Sequence, residues 1–153
     1  MVTVYTVTYN EELIIEFFIN HYRKNFPNCK IVIFDNYSTD KTVEIAKSFG
    51  CHVIFYDTNN KFSDKKLIEI KNDCWKDSET EWVVVCDCDE LIQINEEQLK
   101  KEQKNGHTIF KFNGYNLMNH DDDILESICY GWPDEAYDKI LLFNKTKIKE
   151  INY

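Results

Sequence analysis

A chain of 153 residues with 43% apolar and 14% aromatic residues can build one hydrophobic core and is too apolar to be disordered. Its formal charge of −9 argues against the broad basic surface that displaces counterions from nucleic acid, so no nucleic-acid partner is expected. Four glycines and two prolines are too few for a small, many-turned β-barrel, and no apolar run reaches membrane-spanning length.

Strand-like and helix-like segments then alternate. "VTVYTVT" (2–8) is β-rich, and "EELIIEFFINHYRKN" (11–25) sets Leu13, Ile14, Phe17, Phe18 and His21 at helical spacing. "KIVIFD" (30–35) is apolar on both faces, as a central parallel strand should be. Ser38 or Thr39 is expected to cap a helix that turns Val43, Ala46 and Phe49 inward and stops at Gly50. "HVIFY" (52–56) reads as a third strand, 57–63 as a polar loop, and 64–77 as a helix carrying Leu67, Ile68, Cys74 and Trp75. "EWVVVCD" (81–87) is the fourth and most hydrophobic strand. Asn95 caps a short helix with Glu96 and Glu97 in its first turn and Gly106 beyond its end. "HTIFKFN" (107–113) and, after a polar stretch, "KILLFN" (139–144) read as the last two strands.

This order predicts one α/β domain over residues 1–153, a mostly parallel, Rossmann-like sheet with helices on both faces. Ligands of such sheets bind beyond the carboxyl ends of the strands. The polar groups that follow strands one, two and four, "TYNEE", "DNYSTD" and "DCDE", should therefore converge on one edge. The six cysteines (29, 51, 74, 86, 88 and 129) include no C-x-x-C pair, and alternation turns Cys86 and Cys88 to one face, away from Asp87. Reduced thiols and an N-terminus without a basic leader lead us to expect a soluble, cytoplasmic domain with no transmembrane segment.

Carboxylates at the end of a buried strand repel one another unless a cation sits among them. Asp87 and Asp89, two positions apart, point the same way if the backbone stays extended, with Cα atoms about 7 Å apart. That spacing suits a shared Mg²⁺ or Mn²⁺, which takes one or two carboxylates and fills its shell with phosphate oxygens. Asp35 and Asn36 end the second strand, where they are placed to meet the edge of a flat heterocycle or to build an Asx turn with Ser38, Thr39 and Asp40. Tyr9 and Asn10 follow the first strand, where an aromatic ring serves either stacking or packing.

"TVTYNEE", "IVIFDNYSTDKTVEIAKSFG" and "KNDCWKDSETEWVVVCDCDELI", in that order, resemble the nucleotide-sugar half of the family 2 glycosyltransferases with the GT-A fold, strongly over residues 2–95 and weakly on to 145. The resemblance implies a metal-dependent, inverting transferase that takes a nucleoside-diphosphate sugar, a uridine one by expectation, and passes the sugar to a glycan, lipid or protein acceptor. It further implies that Tyr9 stacks on the base with Thr8 and Asn10 beside it, and that Asp35 and Asn36 read the base edge. Lys66 falls where the family often has a basic residue near the nucleotide, with Lys65 and Lys71 as competitors. Asp87 matches the position near ribose and metal, and Asp89 the main metal ligand; Glu90 has no assigned role.

The family's carboxylate base lies well after this motif, often in a C-terminal lobe that the chain, closing on "KEINY", is expected to lack. Asp134 and Glu135 are the candidates present, with the Asp121–Asp123 triplet read as a solvated loop and His120 as a loop histidine. Two other readings compete. A non-catalytic module could bind the nucleotide sugar without turning it over. An aspartate-nucleophile phosphohydrolase also carries D-x-D at a strand end, but wants Thr or Val where this chain has Leu91. Sugar-nucleotide nucleotidyltransferases need a Gly-rich loop after the first strand, and "TYNEE" has none.

Overall fold

The structure is a computed structural model that describes residues 1–59, 61, 63–117 and 131–153. The first two β-α units are β1 (Val2–Thr8), α1 (Ile15–Asn25), β2 (Lys30–Asp35) and α2 (Thr42–Ser48), followed by β3 (His52–Phe55) and α3 (Asp64–Asp73). Then come β4 (Trp82–Asp87), α4 (Glu96–Lys104), β5 (Ile109–Phe112), β6 (Tyr115–Leu117), β7 (Gly131–Pro133), a 3₁₀ turn (Glu135–Tyr137) and β8 (Lys139–Asn144). Six strands form one sheet in the order β3-β2-β1-β4-β8-β5, with β6 and β7 paired as a separate ribbon. β1, β2, β3 and β4 are mutually parallel, and β8 enters antiparallel between β4 and β5. The expected mostly parallel α/β sheet is present.

β1 and β4 lie at the centre because both of their faces are apolar, and both are covered. On one face Val2, Val4, Trp82, Val84 and Cys86 pack with α1, with Ala46 of α2 and with Leu99 of α4. On the other, Tyr5, Val83, Val85 and Phe143 meet Trp75, Cys74 and the C-terminal residues Ile148, Ile151 and Tyr153. Helices therefore flank both faces, as expected. Among the described residues no helix is long and apolar enough to cross a membrane.

Several local expectations shift. α1 starts at Ile15, and Leu13, in the preceding turn, is 91% exposed. The buried stripe is Ile15, Phe18, Ile19 and Tyr22, continued by Phe26, a rotation of about one position from the expected one. α2 starts at Thr42 without side-chain capping from Ser38 or Thr39, whose hydroxyls are used elsewhere. α3 ends at Asp73 rather than 77. The Asn95 cap holds in full: its side chain accepts from Gln98 N, and Gln98 returns the bond to Asn95 N. Gly50 and Gly106 follow their helices in the left-handed region, at φ 69° and 89°. The five described cysteines are free, and burial pushes the Cys29 and Cys74 thiols up to about 11 and about 12.

Candidate functional site

β1 and β2 end side by side, with Thr8 opposite Asp35 in the parallel register. The Asp35 carboxylate is fully buried and accepts from Thr8 Oγ1 (3.0 Å), Ser38 N (2.8 Å) and Ser38 Oγ (2.5 Å). Beyond it the loops after β1 and β2 are laced together. Asn10 N donates to Ser38 Oγ (2.9 Å) and Thr39 N to Asn10 Oδ1 (2.8 Å). Glu11 N donates to Thr42 Oγ1 (2.7 Å), Glu12 N to Asp40 Oδ2 and Lys41 N to Glu12 Oε2 (both 3.0 Å). Each loop thus supplies acceptors for the amides that lead into the other's helix, which have no intrahelical partner. Asn10 takes φ 57°, a left-handed conformation that a short polar side chain tolerates. Tyr9 rises from this corner with its side chain exposed. Asn36 is tied to Thr58, accepting from its N (3.2 Å) and donating to its Oγ1 (2.8 Å). Thr8, Tyr9, Asn10, Asp35 and Asn36 are therefore brought together at one corner.

The acidic motif forms the neighbouring corner, because β4 pairs directly with β1. The chain turns at once after Asp87, with Glu90 N donating to Asp87 O (3.1 Å). Glu90 Oε2 accepts from Asp87 N (2.9 Å) and its Oε1 from Lys139 Nζ (2.5 Å). Lys71, on α3, reaches Asp87 Oδ1 at 2.5 Å, and Lys139 lies 4.0 Å from Asp87 Oδ2. Burial raises the Asp89 carboxyl above the usual range, with the charges of Asp87 and Glu90 adding to the effect. Glu11, at the foot of the other corner, is raised by burial and then by the charges of Asp89, Asp40 and Asp87. Burial alone would lower the Lys139 ammonium; the bond to Glu90 and the charges of Glu90, Asp87 and Asp89 raise it instead. Carboxylates from two loops therefore crowd one edge against two ammonium groups, an excess of negative charge that favours a bound cation.

Two residues of α1 fix the loop from behind. The Tyr22 hydroxyl donates to Glu90 O (2.8 Å), and His21 Nε2 lies 2.9 Å from Ile92 O, which it meets as a donor. Neither residue was expected at the site, where His21 counted only as part of an apolar stripe. Across the ribbon, Asp134 Oδ1 accepts from Ala136 N (3.0 Å) and Oδ2 from Asn116 Nδ2 (2.8 Å), so its carboxylate caps the 3₁₀ turn. Gly114 permits that approach: a Cβ there would sit 2.4 Å from Tyr137 Cβ and 2.8 Å from Asp134 O. Glu135 is exposed, and its carboxylate has no hydrogen-bond partner among the described residues.

A family model, Glycosyl transferase family 2, matches residues 3–148, nearly the whole chain. The chain belongs to glycosyl transferase family 2. The S. aureus protein TarS, solved as residues 1–349, is similar over 67% of this chain and 31% of that one, at 28% identity and TM-score 0.50. A longer TarS structure gives 22% identity and TM-score 0.56 over 71% of this chain and 20% of that chain, a likeness of fold. Protein RfbJ of Shigella flexneri is 42% identical over 45 residues, 29% of this chain and 35% of that protein. The chain thus spans about a third of the length of RfbJ and of TarS 1–349. Its sheet is that of the GT-A glycosyltransferases.

Within this family frame the structure separates the lysines. Lys66 pairs with Glu69 on the surface of α3 (3.0 Å), and Lys71 is the α3 lysine that meets the acidic motif. Lys139 had no expected role; it enters because β8 runs antiparallel to β4. The register pairs Trp82 with Asn144 and Val84 with Leu142, and beyond that pairing the first residue of β8, Lys139, lies 4.0 Å from Asp87 Oδ2 at the end of β4. Residues 118–130, which include His120, Asp121–Asp123 and Cys129, lie outside the described residues. Among those described, no three His, Cys, Asp or Glu side chains are grouped to hold a metal by themselves. The extended backbone on which the expected Asp87–Asp89 spacing depended gives way to a turn directly after Asp87, and the two carboxylates are oxygen donors of the kind that Mg²⁺ or Mn²⁺ takes when phosphate oxygens complete the shell.

Proposed function

We propose that the chain is the donor-binding core of an inverting glycosyltransferase that takes a UDP-sugar with Mn²⁺ or Mg²⁺ and passes the sugar to an acceptor hydroxyl. The observation that carries the reading is the meeting of the Tyr9–Asp35 corner with the Asp87–Asp89 edge at the carboxyl ends of adjacent strands, in a member of this family. Two of the TarS 1–349 structures, in complex with UDP-GlcNAc and with UDP, support a uridine donor.

In this reading the exposed Tyr9 ring stacks on the base, flanked by Thr8 and Asn10. Asp35 serves the base from behind, since its oxygens are already bonded to Thr8 and Ser38, and Asn36 presents its edge from the Thr58 bracket. Asp87 and Asp89 hold the metal, which when bound neutralises charge developing on the departing diphosphate. Lys71 is the basic residue nearest that charge, with Lys66 farther along α3. Glu135, whose carboxylate has no partner among the described residues, is the better placed of the two base candidates to take the acceptor proton; Asp134 is held by Asn116 and Ala136.

Calorimetric titration of UDP with and without Mn²⁺ tests the reading. Binding should require the metal and disappear in Asp89→Ala; metal-independent binding that survives this substitution would sink it. Donor hydrolysis or transfer by the same protein then separates an enzyme from a module that only binds donor.

A further inference from the structure

Glu90 is used up by Asp87 and Lys139, and Lys139 also lies 4.0 Å from Asp87 Oδ2. One Glu90 oxygen accepts the Asp87 amide (2.9 Å) and the other accepts Lys139 Nζ (2.5 Å), so neither oxygen is left facing outward. The Asp87 amide needs this acceptor because β8 pairs with β4 only through Trp82, Val83 and Val84. Past Val84 the two strands no longer pair, and a part-buried strand amide without an acceptor is costly. Lys139 is fixed from a second side by the Tyr137 ring, 5.7 Å from its Nζ. Glu90 itself is anchored at its carbonyl by Tyr22.

We infer that Lys139 and Glu90 form a positioning clamp, in which β8 sets the backbone of the Asp87–Glu90 turn and so positions the Asp87 and Asp89 carboxylates. Glu90 is then neither a metal ligand nor a base, although it stands beside two acidic residues that face the ligand edge. Lys139 acts through Glu90 rather than by touching the donor. The clamp explains why a third carboxylate follows the D-x-D pair: it closes the turn and takes up Lys139, while Asp87 pairs with Lys71 and Asp89 is exposed.

The part of this inference that concerns metal and donor rests on the function proposed above; the clamp itself does not. Amide exchange of Asp87, followed by NMR in the unliganded protein, reads the clamp directly. Exchange at Asp87 should quicken about tenfold in Lys139→Met and in Glu90→Ala. The conservative Lys139→Arg should keep the protection. In parallel, the Mn²⁺-dependent affinity for UDP should fall about tenfold in Lys139→Met and recover in Lys139→Arg, the usual scale for a residue behind a metal ligand. Unchanged Asp87 exchange in Lys139→Met overturns the clamp. So does a loss of UDP affinity that is equally large without metal, which would make Lys139 a direct phosphate contact. If exchange behaves as expected while the wild-type protein binds no UDP, the clamp stands and the proposed function fails.

Discussion

The Tyr22 hydroxyl donates to the Glu90 carbonyl oxygen at 2.8 Å, joining α1 to the acidic turn across 68 residues of sequence. Tyr22 is fully buried, and burial raises its phenol well above the ordinary range, so the group stays a donor. Cys86 Sγ lies 3.3 Å from the same hydroxyl. Tyr22→Phe removes only the hydroxyl and takes the donor from a part-buried carbonyl. It should cost about 1–3 kcal/mol in urea unfolding. The Mn²⁺-dependent affinity for UDP should fall with it, because the turn loses its rear support. Unchanged stability would show that the carbonyl finds another donor and that α1 does not hold the turn.

His21 predicts a pH dependence of stability. Burial lowers its pKa below the usual 6.5, the bond to Ile92 partly opposes this, and Lys24 lowers it further. The unfolded chain therefore binds more protons at this position than the folded one once the pH drops to the unfolded value. The contribution of His21 is present above about pH 6.5 and is lost as the pH falls through the lower folded value. Urea midpoints compared from about pH 7.5 down to pH 5 should fall more steeply for wild type than for His21→Phe. Parallel slopes would mean that the ring takes up its proton in the folded state without penalty.

Asp35 should matter more to the fold than to the base. Its carboxylate accepts from Thr8 and twice from Ser38 at a site with no solvent exposure. Asp35→Ala strands those donors and should destabilise by at least about 2 kcal/mol, on the scale of an unsatisfied buried group. Thr8→Val, which removes a single partner, should cost about 1 kcal/mol. Thermal melts of the two variants check the order. An Asp35→Ala protein that melts like wild type yet binds UDP poorly would instead make Asp35 a dedicated base reader.

The central strands were readable in the sequence because an apolar run of six or seven residues has few other uses, and β1, β2 and β4 lie where expected. The meeting of "TYNEE" with "DNYSTD" followed from parallel order alone. The face of α1 was misjudged by one position because Leu13 belongs by composition to the apolar run but by backbone to the turn before it. β6 and β7 have three residues each, too short to leave a period. Lys139 was out of reach for another reason. "KILLFN" announces a strand but not its direction, and only the antiparallel direction brings its first residue to Asp87. His21 likewise counted in the sequence as part of an apolar stripe, while its ring nitrogen decides what it does.

The two base candidates separate by what their carboxylates already hold. Asp134 accepts from Ala136 N and Asn116 Nδ2 and so shapes the turn after β7, while Glu135 is exposed and has no such bond among the described residues. Under the proposed mechanism Glu135→Gln should leave Mn²⁺-dependent UDP binding unchanged and lower transfer or donor hydrolysis about 100-fold or more, the scale of a lost general base. Asp134→Asn keeps an acceptor for one of its two partners and should show mainly as a lower melting temperature. Turnover that falls in Asp134→Asn but not in Glu135→Gln reverses the assignment, since a capping carboxylate would then have to give up its bonds to take the proton. Turnover that survives both substitutions but is lost in Asp89→Ala places the base outside this turn.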